Sequence, residues 1–197
     1  MNARDTILDT VRRNQPAAVE LPVVPMFDAD LPALWPQFIA GLERMGGKFV
    51  EPAPSADLNA LLATLFPQAA VICSATPEVS GNRPLSAVSE PKQLDDVDVG
   101  VLRAAFAVAE TGSLFLSEIE LGVNAIAYLS QHLICLLDPA DVIGNLHHAY
   151  ARPEFRSARY AVLMTGPSAT ADIEGVLIHG AQGVRSLTVV VAPRLPN

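Results

Sequence analysis

From residue 48 to residue 192, short apolar runs alternate with stretches whose apolar residues fall at helical spacing. Nothing else in the sequence constrains the fold as tightly. Runs at 48–50, 69–73, 97–101, 113–116, 132–137, 160–164 and 187–192 read as strands. Between them, Leu58, Leu61, Leu62 and Leu65 share one helical face behind a Ser55 cap. Asp138-Pro139-Ala140-Asp141 reads as a cap and first turn of a helix reaching about residue 151. A third helix is expected over 168–178. Strands that are apolar on both faces, separated by helices, imply an α/β fold whose mostly parallel sheet carries helices on both faces. Val71, Ile134, Val162 and Val189 are then expected in central, inaccessible strands.

The first half of the chain is less regular. Most of the 16 prolines lie before residue 100, and 16–36 and 77–91 read as irregular connections. Residues 5–13 place Ile7, Leu8 and Val11 on one face of a small helix. A second helix, capped by Asp30, carries Leu34, Trp35, Phe38, Ile39, Leu42 and Met45, tolerates Pro36 in its first turn and stops at Gly46-Gly47. The division expected is a Pro-rich helical arm over 1–46 and an α/β domain over 47–197.

Half of the 197 residues are hydrophobic and only 17% are charged, which excludes a disordered chain. A net charge of -8 disfavours nucleic acid and anionic lipid surfaces as partners. The longest uncharged apolar stretch, 122–137, contains Asn124, Gln131 and His132 and is too short and polar for a bilayer, so no membrane insertion is expected. Two cysteines, Cys73 and Cys135, cannot form a disulfide framework, a four-cysteine zinc site or an iron–sulfur cluster, and they suit a reducing cytoplasm. The adjacent His147 and His148 diverge on a helix and cannot chelate one metal between them. Neither metal nor cofactor is expected.

Two segments carry chemistry. Ala109-Glu110-Thr111-Gly112-Ser113 sets one carboxylate and two hydroxyls around a glycine, so Glu110 can serve as acid, base or nucleophile. The same residues can also form a tight turn whose Glu caps backbone N–H groups. Thr165-Gly166-Pro167-Ser168-Ala169-Thr170-Ala171-Asp172-Ile173-Glu174 falls where a strand would end and a helix begin. Open parallel sheets bind ligands at such places, and free N–H groups there suit an anion. An acidic, well-capped helix start without a ligand is the other reading. Arg83 and Lys92 can face an acidic substrate or simply be solvated charges.

These segments, with Gly180-Ala181-Gln182-Gly183-Val184 and the strand after them, resemble the LUD-domain family over about residues 95–192. Gln182 and Val184 stand where that family's turn has His and Pro. The resemblance implies a doubly wound fold similar to the sugar-phosphate isomerase and CoA-transferase superfamily. It also implies a cytoplasmic role in lactate utilisation, supporting oxidation of lactate to pyruvate beside iron–sulfur partner proteins. On this reading Glu110 is the catalytic candidate. Thr111, Gly112, Ser113, Thr165, Gly166, Ser168, Thr170 and Asp172 bind a small anionic metabolite in one shared pocket. A stand-alone acyl-CoA or sugar-phosphate enzyme using Glu110 is an alternative. So is a non-catalytic assembly subunit whose loop 77–94 docks an iron–sulfur protein.

Overall fold

The computed structural model describes residues 2–54, 56–172, 175–180 and 182–194. The chain opens with helices α1 (Ala3–Arg13) and α2 (Leu34–Arg44), then strand β1 (Lys48–Val50) and helix α3 (Leu58–Leu65). Strands β2 (Ile72–Ser74), β3 (Arg83–Pro84), β4 (Val99–Arg103), β5 (Phe106–Val108) and β6 (Ser113–Ser117) follow. Short helices α4 (Glu118–Leu121) and α5 (Ile126–Leu129) lead to β7 (His132–Leu137) and β8 (Val142–Ile143). Helices α6 (Leu146–Ala151) and α7 (Pro153–Ser157) precede β9 (Ala161–Met164), β10 (Ala169–Thr170), β11 (Ile178–His179) and β12 (Ser186–Val191).

Six strands form a parallel sheet in the order β1-β12-β7-β4-β2-β3. The period-2 alternation of its strands divides two cores. Val99, Val101, Ile134, Leu136 and Val190 turn to one face and meet Leu62 of α3. Leu102, Leu133, Cys135, Leu187 and Val189 turn to the other and meet Phe38 and Leu42 of α2. The expected parallel sheet with helices is therefore present, and Ile134 and Val189 are buried in it.

A second sheet, ordered β8-β5-β6-β9, packs on the α2 side through Ala107, Leu114 and Leu116. Its far face, Phe106, Val108 and Phe115, is covered by Leu146 of α6 and Phe155 of α7. Here the expectation of a single sheet fails. β6 pairs antiparallel with β5 and with β9. Only the four residues 109–112 separate β5 from β6, too few for the crossover a parallel pair needs. Consequently Val162 sits on an edge strand and is half-buried, and Val71 lies half-buried just before β2.

The helix expectations also change. Asp138 does cap, its Oδ1 accepting from the Ala140 N–H at 2.9 Å, but only a single 3-10 turn follows before β8. The helix starts later, behind Asn145, whose Oδ1 accepts from the His148 N–H at 3.0 Å. Over 168–178 the described residues contain β10 and β11 in place of a helix; Ile173 and Glu174 lie outside the described residues. The Thr170 hydroxyl donates to Asp172 Oδ2 at 3.2 Å and accepts from the Asp172 N–H at 3.4 Å, a local turn that competes with helix formation. His179 lies in β11. Asp57 caps α3, with Ser55 outside the described residues, and no side chain caps α2. Helix α2 buries Phe38 and Leu42 in the main core.

Glu118 fixes the entry to β9. Its two carboxylate oxygens accept from the Arg159 N–H at 3.0 Å and the Tyr160 N–H at 3.1 Å. These backbone donors hold the Glu118 carboxyl below its ordinary value of 4.5. A lowered folded pKa contributes stability above the unfolded pKa and loses it as pH falls through the folded one. Melting curves of the wild type and Glu118→Gln should therefore differ most near neutrality and converge as pH drops below about 4.5. A gap independent of pH would show that the charge is not what matters there.

Candidate functional site

The turn between β5 and β6 is built by backbone hydrogen bonds. The Ala109 and Glu110 N–H groups donate to the carbonyls of Ile143 and Gly144 at 2.8 and 3.0 Å, and the Gly112 N–H to Val108 at 2.9 Å. Glu110 is thereby exposed at the tip, with Oε2 accepting from the Leu146 N–H at 3.1 Å. It lines an open groove of about 380 Å³ with Phe27, Leu31, Gln37, Asn145 and His147. Asn145 Nδ2 donates to the Met26 and Phe27 carbonyls at 2.7 and 3.2 Å, and the Phe27 ring lies 4.8 Å from that of His147. Segment 26–31 thus forms one wall. Glu110 is neither a fully satisfied cap nor buried: one backbone donor holds it, and the groove is open beside it.

The other residues of the turn are structural in this geometry. Gly112, at φ +67°, faces the backbone of α2, where a Cβ would stand 2.1 Å from the Leu42 nitrogen. Gly166, at φ +65°, faces the end of the same helix, with the Met45 carbonyl oxygen 2.2 Å from its would-be Cβ. The two segments meet side by side, Ser113 Oγ hydrogen-bonding Thr165 Oγ1 across the β6–β9 pair. Thr111 Oγ1 is buried without a partner among the described residues.

Beyond that contact the segments diverge, and the single shared pocket is corrected to two cavities. Thr165, Gly166, Pro167 and Ser168 line a separate groove of about 470 Å³ with Tyr128, Val162, Met164 and Gly183. Ser168 is consumed by the turn: its hydroxyl donates to the Gln182 carbonyl and its N–H to the Val184 carbonyl at 2.9 Å. Thr170 and Asp172 bond to each other and line neither groove. An anion seat at a helix N-terminus is lost with the helix itself. Arg83 and Lys92 pair with Asp96 and Glu90.

The carboxyl ends of the parallel strands, where such sheets usually bind ligands, are occupied by the chain's own ion pairs. Arg103 pairs with Glu78 and donates to the Ala192 carbonyl at 2.9 Å, and Arg194 pairs with Asp141 at 2.8 Å. Among the described residues no group of three His, Cys, Asp or Glu side chains is placed to hold a metal. Among the described residues, too, no helix is long and apolar enough to cross a membrane.

The family model of the LUD domain matches residues 85–192, more than half of the chain. The chain belongs to the LUD-domain family. Within that family it is 28% identical over 102 residues to "Lactate utilization protein C" of Deinococcus radiodurans. That match covers 50% of this chain and 48% of the relative, so the chain spans about half the relative's length. The fold is similar to the crystal structure of a DUF162 family protein from Deinococcus radiodurans, with a TM-score of 0.62 and 17% identity over 80% of this chain and 95% of that one. Seen against the LUD match, the Glu110 groove is composite. Glu110, Asn145 and His147 lie inside the matched region, whereas Phe27, Leu31 and Gln37 come from the segment before it. Sequence reading missed these neighbours. Asn145 carries a readable helix-cap signal, but nothing local ties Phe27 or Gln37 to Glu110.

Proposed function

We propose that this chain is a cytoplasmic component of lactate utilisation that supports oxidation of lactate to pyruvate together with iron–sulfur partner proteins. The similarity to a protein named for lactate utilisation carries this reading. Oxidation of a 2-hydroxy acid releases two electrons and two protons. The electrons pass to the iron–sulfur partners. Glu110, a carboxylate of the family segments that lines an open groove, accepts the hydroxyl proton, and the proton from the α-carbon passes to water. His147 lines the same groove.

A second reading, a non-catalytic assembly subunit, is favoured by the structural use of Gly112, Ser113, Thr165, Gly166 and Ser168. Glu110→Gln separates the two. Glu110 is exposed and makes one backbone contact, so the variant should fold and keep its stability within about 1 kcal/mol. It should nevertheless fail to support growth on lactate. Full growth would remove the proton-transfer role and leave the assembly role. For the partners, the tagged full chain is purified from lactate-grown cells of its own host. Iron–sulfur proteins, visible by their absorbance, should accompany it; a chain that purifies alone contradicts the reading.

A further inference from the structure

The segment before α2 is extended and unusually apolar for its exposure. Val19, Leu21 and Val23 alternate along it and are 83%, 85% and 96% exposed. Ile7 and Val11 of α1 are exposed as well, and that helix buries nothing. Among the described residues, β9 is an edge strand with no partner on its outer side. Tyr160 O accepts from the Glu118 N–H at 3.2 Å on the β6 side. By the alternation of an antiparallel ladder, Val162 and Met164 also turn their backbone groups to β6, and Ala161 and Leu163 turn theirs outward. That edge opens on the groove of about 470 Å³, which three consecutive β9 residues line and which contains no charged side chain.

We propose that residues 19–23 of a second copy of this chain add as a strand to the outer edge of β9, each copy lending its arm to the other. Strand addition of this kind takes affinity from main-chain hydrogen bonds and register from alternate side chains. The composition of the arm fits the task. If Val19, Leu21 and Val23 bond to β9, Pro22 falls on the outer edge, where no N–H is needed and further pairing is blocked. Pro25 then ends the strand. Charge points the same way. In a chain of net charge -8, the arm over 15–27 carries only Glu20 and the groove carries nothing, so two copies meet there without repulsion.

The donor is a second copy because of where the arm leaves the fold. Phe27 is fastened to Asn145 next to β8, the opposite edge of the same sheet from β9. Between those edges the outer face is covered by α6 and α7. Reciprocal exchange gives a closed, twofold dimer.

The 197-residue chain should sediment at about twice 20.9 kDa and dissociate on dilution. Leu21→Asp with Val23→Asp should raise the dimer dissociation constant at least about tenfold, because side chains paired with Ala161 and Leu163 lie on the Leu163 face, beside the apolar cluster of Phe115 and Phe155. The melting of the diluted fold should stay unchanged, since neither residue packs within it. Cysteine pairing reads the geometry directly, as Cys73 and Cys135 are both buried. Mixed Leu21→Cys and Ala161→Cys variants should form an interchain disulfide that neither forms alone. A monomer at all concentrations overturns the proposal. So does a dimer untouched by the charge substitutions, or a disulfide formed only within one chain carrying both cysteines.

Discussion

Gly112→Ala should destabilise the protein by about 3–5 kcal/mol, far more than an ordinary Gly-to-Ala change. Two independent costs add at this position. The backbone is at φ +67°, which a residue with a Cβ adopts only with strain. The new methyl would also stand 2.1 Å from the Leu42 nitrogen and 2.8 Å from its Cα. Neither is the far end of a flexible side chain. Helix α2 cannot retreat, because Phe38 and Leu42 are wholly buried on its core side. The same contact is tested from the helix: a Cβ on Gly41 would lie 2.8 Å from the Gly112 nitrogen, so Gly41→Ala should share part of the penalty. Denaturant midpoints at constant slope measure both. A loss below about 1 kcal/mol for Gly112→Ala would mean that the turn and helix are not in contact.

Val189→Asp should have an effect of similar size, about 4–5 kcal/mol or outright loss of folded protein, by leaving an unpaired carboxylate in the core. Val189 has no exposed surface, and its strand lies between β1 and β7 with Cys135 directly opposite. The Cys135 thiol reports how dry that layer is, since burial pushes it up to about 12. Val162→Asp supplies the contrast. Its strand is at the edge of the second sheet and its side chain is half-buried, so the charge reaches water and the cost should be about 1–2 kcal/mol. Equal tolerance of both substitutions would contradict the two-sheet arrangement.

That contrast shows where the sequence was readable and where it was not. Strands β7 and β12 announce themselves because central parallel strands are apolar on both faces, and α2 and α3 because their apolar residues keep a 3.6 period. The run Ser113-Leu114-Phe115-Leu116 looks the same by composition, yet it is antiparallel. Its pairing follows from the length of the turn before it, a geometric fact that periodicity does not carry. The expected helix over 168–178 fails because Thr170 and Asp172 satisfy each other locally. At the site, Glu110 was legible as a carboxylate in a glycine turn. The walls of its groove were not, because residues 27–37 and 145–147 reach Glu110 only through the tertiary fold. Gly112 and Gly166 admit the backbone of helix α2, a close approach between distant segments that local sequence does not reveal.

Growth of the source organism on lactate as sole carbon source, with and without the gene for this chain, tests the functional account most directly. The deletion strain should lose growth on lactate while growing normally on a sugar, and the wild-type gene should restore it. Undiminished growth of the deletion strain on lactate would contradict a role in lactate utilisation.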